Sequence, residues 1–123
     1  MADQKRSAIW DGKDVLEPFY WPHASLEVAA WDLFEPEVRG KLRDEAFATM
    51  ALCPHHRFQL STAYPKLYRR FVDEIAGSRD EYLGWRMSAA TILRKLGREG
   101  EAAGDGPVWP LRNVELVDEQ RAR

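Results

Sequence analysis

Between Ser25 and Leu67 a helix-length apolar run stands between two short alternating segments, and a second helical pattern follows at once. Leu26, Val28 and Ala30 alternate with Glu27 and Ala29; Phe58 and Leu60 alternate with Arg57, Gln59 and Ser61. Successive strand side chains point to opposite faces, so Leu26–Ala30 and Arg57–Ser61 each read as a half-buried strand. Val38, Leu42, Ala46, Phe47 and Met50 between them recur at the spacing of one helix face. Strands joined through a helix run parallel, because a hairpin would need only a short turn. The stretch is therefore a β-α-β-α unit.

The rest of the chain extends this unit. The first helix is expected to start near Pro36, with Glu35 and Glu37 at its positive end, and to stop at Pro54. Gly40 inside it would weaken it by about 1 kcal/mol relative to alanine. A second helix begins at Pro65, carries Leu67, Tyr68, Phe71, Val72 and Ile75 on one face, and ends at Gly77. Ser78 and Glu81 have capping-box spacing and open a third helix with Tyr82, Trp85, Ala89, Ile92, Leu93 and Leu96 inside. Residues 97–107 are rich in glycine and charge and read as a mobile loop, and a third strand runs about Asn113 to Val117. Residues 1–8 are polar and expected to fray. Trp10, Phe19, Tyr20 and Trp21, with Pro18 and Pro22, form an extended aromatic segment. It is either a packing arm or a contact patch for a partner.

Strands of a parallel sheet covered on both faces are unbroken apolar runs. These strands alternate instead. The expected fold is a single α/β domain over 1–123. It has two layers, a three-stranded parallel sheet of βαβαβ type with its helices packed on one face, because right-handed crossovers put them on the same side. The other face carries Glu27, Arg57, Gln59, Ser61, Asn113 and Glu115. That face is solvated, covered by the aromatic segment or a second copy, or used to grip a partner.

Composition narrows the function. The 123 residues hold 45% apolar residues, enough for one core, and the net charge of −2 gives no general surface for nucleic acid. One cysteine, Cys53, excludes an internal disulfide and a multi-cysteine metal site, and it reads as a small core residue. No segment is apolar enough to span a membrane or to serve as a signal peptide, so a cytoplasmic protein is expected. His55 and His56 are adjacent, so on extended chain they point apart and read as a solvated turn rather than a metal site. Asp32, Asp118 and Glu119 lie at strand ends, where α/β units bind ligands. They are candidates for a hard cation or for capping and turn roles. Ser61 and Thr62 have no evident base, and no Gly-rich phosphate loop follows a strand.

Several stretches, in order, carry a family likeness. Trp-Asp-Leu-Phe-Glu-Pro-Glu-Val from Trp31 resembles the Ser-Asp-Leu-Phe-His-Glu-Asp-Val stretch of a phage-associated family of three-cysteine-motif proteins, themselves similar to radical-SAM barrel enzymes. The run from Phe47 through Cys53 to Thr62 resembles that family's next helix and strand. Trp109-Pro-Leu-Arg-Asn-Val and the acidic turn at Asp118 and Glu119 resemble its Trp-Pro-Leu-Pro-Asn-Val strand and Glu-Asp-Gln turn. Trp10-Asp-Gly-Lys and Pro18 fit a piece just upstream. The family's cluster cysteines have no counterpart here, and Cys53 is at a non-ligand position. Ala29 and Trp31 replace polar serines, and Ala63 and Tyr64 replace a basic pair. The resemblance implies a middle slice of a barrel, a partial barrel cut at both ends and without its cofactor.

The expectation is a non-enzymatic phage or prophage protein, without cofactor or metal, acting in the cytoplasm of a bacterial host. It would bind and sterically inhibit a host protein complex, most concretely a CRISPR-Cas effector, as an anti-CRISPR protein does. Glu27, Arg57, Gln59, Glu115, Asp32, Asp118, Glu119, Trp10 and Trp21 would contact the partner, with no direct nucleic-acid or membrane contact and a homodimer as an option. The alternative is a reduced metal-dependent enzyme or subunit using Asp32, Asp118 and Glu119.

Overall fold

The computed structural model describes residues 7–21, 25–98, 109 and 111–117. In chain order they form β1 (Ser7–Trp10), a single 3-10 turn (Glu17–Tyr20), β2 (Glu27–Ala30), α1 (Gly40–Ala51), β3 (Arg57–Leu60), α2 (Pro65–Gly77), α3 (Arg79–Lys95) and β4 (Val114–Leu116). The strands lie side by side in the order β1-β2-β3-β4, and every pair is parallel. The fold is α/β with a parallel sheet, as its alternating segments require, but the sheet has four strands rather than three. The extra strand, β1, uses Ser7 and Ala8, which were expected to fray, and Trp10, which was assigned to the aromatic segment. It pairs Ser7 with Glu27 and Trp10 with Ala30. At four residues it is too short to stand out beside the prolines and aromatics that follow.

Burial separates the two faces of the sheet. Trp10, Val28, Phe58 and Leu60 are 0–2% exposed and join Phe47, Met50, Trp85 and Ile92 from the helices in one core cluster. Ile9, on the opposite face of β1, is 78% exposed. Within the helical layer α3 packs against both α1 and α2. The C-terminal half of α1 is buried all round, from Ala46 to Met50, and Thr49 there donates to the Val15 carbonyl at 3.0 Å.

α1 starts at Gly40, four residues later than expected from Pro36. Leu33 and Phe34 are drawn into the core instead, each 1% exposed. Phe34 packs edge-on against Phe47, Tyr68 and Phe71, and the Arg43 guanidinium lies over its ring. Arg43 also donates to the Leu33 carbonyl at 2.9 Å. Gly40 therefore opens the helix, where a missing Cβ carries little penalty, and does not weaken its interior. The remaining boundaries follow local chemistry. The Ser78 hydroxyl accepts from the Glu81 N–H at 3.3 Å, capping α3, and Gly97 follows that helix at a φ of +73°, where glycine is favoured.

Asn113 stands just before β4 and does not join the open polar face. Its amide Nδ2 donates to the carbonyls of Met50, Cys53 and His56 at 2.9, 3.2 and 3.1 Å. One side chain thus closes the α1 terminus, the turn after it and the entry to β3.

Candidate functional site

Parallel register brings the outward residues of β2, β3 and β4 into one row. Glu27 lies beside Arg57, and Gln59 lies between Ala29 and Glu115. Arg57 reaches both neighbouring strands, with its guanidinium 3.2 Å from Glu115 Oε1 and 3.9 Å from Glu27 Oε2. Gln59 Nε2 donates to Glu27 Oε1 at 3.0 Å. The row is open to solvent: the Arg57 and Glu115 side chains are 64% and 52% exposed, and Glu27 is 25% exposed. Beside it, Ile9 and the exposed Ala29 pair in register as a small apolar strip. Exposed ion pairs contribute about 0–1 kcal/mol to folding. The row is therefore a patterned surface of donors and acceptors rather than a device that holds the sheet together.

The other expected contact residues fall elsewhere. Trp10 is fully buried, so its assignment to a partner surface is corrected. Its ring packs edge-on to Trp31 at 4.9 Å and against Phe58 at 5.6 Å, and its Nε1–H donates to the Asp14 carbonyl at 3.1 Å. Trp21 is half-buried against the core, 5.7 Å from the His56 ring, with Nε1–H donating to Glu17 Oε2 at 3.4 Å. It packs down rather than joining the row. Ile9 was not singled out by sequence reasoning, although the alternation Ser-Ala-Ile-Trp turns it outward once Trp10 is inside.

Asp32, at the end of β2, spends both oxygens on backbone. Oδ1 accepts from the Phe34 N–H at 2.9 Å, and Oδ2 accepts from the Ala63 N–H at 3.0 Å. The carboxylate thus pins the loop after β2 to the loop after β3. Asp118 and Glu119 lie outside the described residues, as do residues 1–6 and 99–107. Among the described residues, no group of three or more His, Cys, Asp or Glu side chains is placed to hold a metal ion. No described helix is long and apolar enough to cross a membrane.

The His55-His56 pair is not the solvated turn expected for it. His56 is fully buried, and its Nδ1 accepts from the Leu26 N–H at 3.2 Å, tying the entry of β2 to that of β3. The His55 and His56 rings lie 3.9 Å apart. Cys53 is 1% exposed, and burial pushes its thiol from 9.0 up to about 12. The stability this group contributes is fully present below pH 9.0 and is lost as pH rises towards 12. A disulfide reagent at about pH 8 is expected to leave the folded chain unlabelled and to label it fully in denaturant. Rapid labelling of the folded chain would contradict the burial.

Comparison with protein-family models, curated proteins and solved structures finds no match.

Proposed function

We propose that this chain is a small non-enzymatic binding protein that docks on a partner protein through the open face of its sheet. The observation that carries the reading is a parallel sheet with one face left bare among the described residues, crossed by the Glu27–Arg57–Glu115 row and edged by Ile9 and Ala29. Parallel sheets are found almost only with both faces covered, so a bare one is a surface ready for a partner. Two carboxylates flanking one guanidinium offer a patterned field, which favours a protein with charged groups in the matching order. The same pattern, with net −1 over the three groups, disfavours a phosphate backbone.

The concrete form of the proposal is a phage or prophage product that sterically inhibits a host complex, of which a CRISPR-Cas effector is the sharpest case. That step is supported by the family resemblance of the Trp31–Val38 and Trp109–Val114 stretches, not by any catalytic or binding motif. The enzyme alternative draws on Asp32, whose two oxygens are engaged by backbone N–H groups.

Charge reversal tests the face. Arg57→Glu, Glu27→Lys and Glu115→Lys each change an outward side chain, so each is expected to keep the wild-type melting temperature to within about 1 kcal/mol of stability. If the row is desolvated in the complex, each loses about 2 kcal/mol or more of binding to a purified host effector in calorimetric titration. Binding that survives all three reversals rules the face out. A species of twice the monomer mass in light scattering that Arg57→Glu abolishes would give the face to a second copy instead.

A further inference from the structure

α3 has an inner face and an outer one. Trp85, Ala89 and Ile92 belong to the core cluster, and Tyr82 and Leu96 pack against it. At about 3.6 residues per turn Met87 stands on the opposite side of the helix, and it is 71% exposed. Leu83, Gly84, Ala90 and Thr91 lie three or four residues from Met87, the spacing of neighbours on one helix face. Leu83 is 40% exposed and Gly84 is open. The Thr91 hydroxyl is spent within the helix, donating to the Met87 carbonyl at 2.9 Å. The solvent side of an amphipathic helix is ordinarily charged. α2 follows that rule, with Lys66, Arg69, Arg70, Asp73 and Glu74 exposed. The outer stripe of α3 does not: from Leu83 to Thr91 it carries no charge.

The charges at the ends of the stripe say what covers it. Asp80 precedes Met87 by seven residues and Arg94 follows it by seven, so both return to the same outer face about 10 Å away. Both are exposed, and among the described residues no ion pair holds either one. Arg79, Glu81 and Lys95 lie to the flanks of the stripe. Two copies of α3 laid antiparallel, with Met87 against Met87, bring Asp80 of each level with Arg94 of the other. Leu83 then meets Ala90 and Thr91 of the second copy. The stripe is therefore self-complementary, as a two-fold contact requires. A parallel alignment would set Asp80 on Asp80 and Arg94 on Arg94. Gly84 fits the same arrangement. A glycine inside a helix weakens it, and nothing lies within 4 Å of the Cβ that Gly84 lacks, so packing within the chain does not call for it. A second helix would use that bare backbone for close approach.

We propose that this chain forms a symmetric homodimer through α3, antiparallel, with Met87 at the two-fold axis. Met87 and Leu83 supply the apolar centre, and the Asp80–Arg94 pairs close both ends and fix the register. α3 lies in the helical layer, on the side of the sheet away from the Glu27–Arg57–Glu115 row. Each copy thus keeps its sheet face, and the dimer presents two of them to a partner.

Sedimentation velocity on the full chain between about 1 µM and about 1 mM tests this, because a single helix pair makes a small interface and a reversible dimer. The wild type is expected to pass from monomer to dimer across that range. Met87→Lys sets two like charges at the axis and is expected to weaken the dimer at least about tenfold. Asp80→Lys and Arg94→Glu, each alone, place like charges opposite each other and should do the same. An equimolar mixture of those two variants restores opposite charges at both ends, and is expected to dimerise as the wild type does. All four positions changed or paired here face outward, so circular dichroism should show wild-type helix content in every variant. A wild type that stays monomeric to about 1 mM, a Met87→Lys dimer of undiminished strength, or no recovery in the mixture overturns the proposal. Arg57→Glu separates this contact from the sheet face. It is expected to leave the α3 dimer unchanged, and a dimer lost in Arg57→Glu but kept in Met87→Lys would also overturn it.

Discussion

Trp10→Ala is expected to remove about 3–5 kcal/mol of stability, the range for deleting a fully buried large aromatic. Small domains hold about 5–15 kcal/mol in total, so the variant is left marginal. The physical reason is the position of β1. It is an edge strand four residues long, and Trp10 is its only fully buried side chain. The indole fills the space between Trp31 and Phe58, and its N–H closes the turn through the Asp14 carbonyl. Gly12 sits in that turn because a Cβ there would come within 2.7 Å of the Trp31 ring. Trp10→Phe keeps most of the volume and loses the hydrogen bond, so it should fall well short of the alanine loss. Urea unfolding measures both. A loss under about 1 kcal/mol for Trp10→Ala would mean that β1 does not dock as described.

The second large effect is Asn113→Asp. Oxygen replaces the nitrogen that now donates to the Met50, Cys53 and His56 carbonyls. At neutral pH the aspartate is an acceptor only, so three carbonyl oxygens and a carboxylate would face one another without a proton between them. The expected loss is about 3 kcal/mol or more, against about 1 kcal/mol for Asn113→Ala, which removes the amide donor but leaves the Met50 and Cys53 carbonyls their bonds from the Cys53 and His56 N–H groups. The ordering is the informative part. The near-isosteric change should be worse than the truncation, and thermal melts of the two variants decide it. If the aspartate is the milder change, the three-carbonyl bridge is not a major tie between α1 and the sheet.

The readability of this fold in its sequence followed the strength of the local pattern. β2 and β3 were legible because Val28 and Phe58 alternate with Glu27, Arg57 and Gln59, and α3 because Ser78 and Glu81 announce its start. β1 was not, because four residues beside a proline-rich aromatic segment carry too little periodicity to reveal a strand. The start of α1 was displaced because Leu33 and Phe34 gain more from core packing than from a helical turn, and tertiary burial overrides a proline signal. The open face was legible in Glu27, Arg57, Gln59 and Glu115, since period-two alternation holds whatever the neighbours are. Asn113 followed the same parity but bonds backward to α1, which no local pattern encodes. Trp10 and Trp21 looked alike as aromatics in one segment, and only the strand register separates the buried ring from the half-buried one.

The most direct measurement is carboxyl labelling of Glu27 and Glu115, read by mass spectrometry on the isolated chain and on its complex with a purified host effector, with the mass of each labelled species determined alongside. In the isolated chain Glu115 should label readily as a monomer, and Glu27, partly screened by Arg57 and Gln59, should label more slowly. Both should become protected in the complex. Protection of both carboxylates in the isolated chain, or undiminished labelling in the complex, would contradict a bare sheet face that docks a partner.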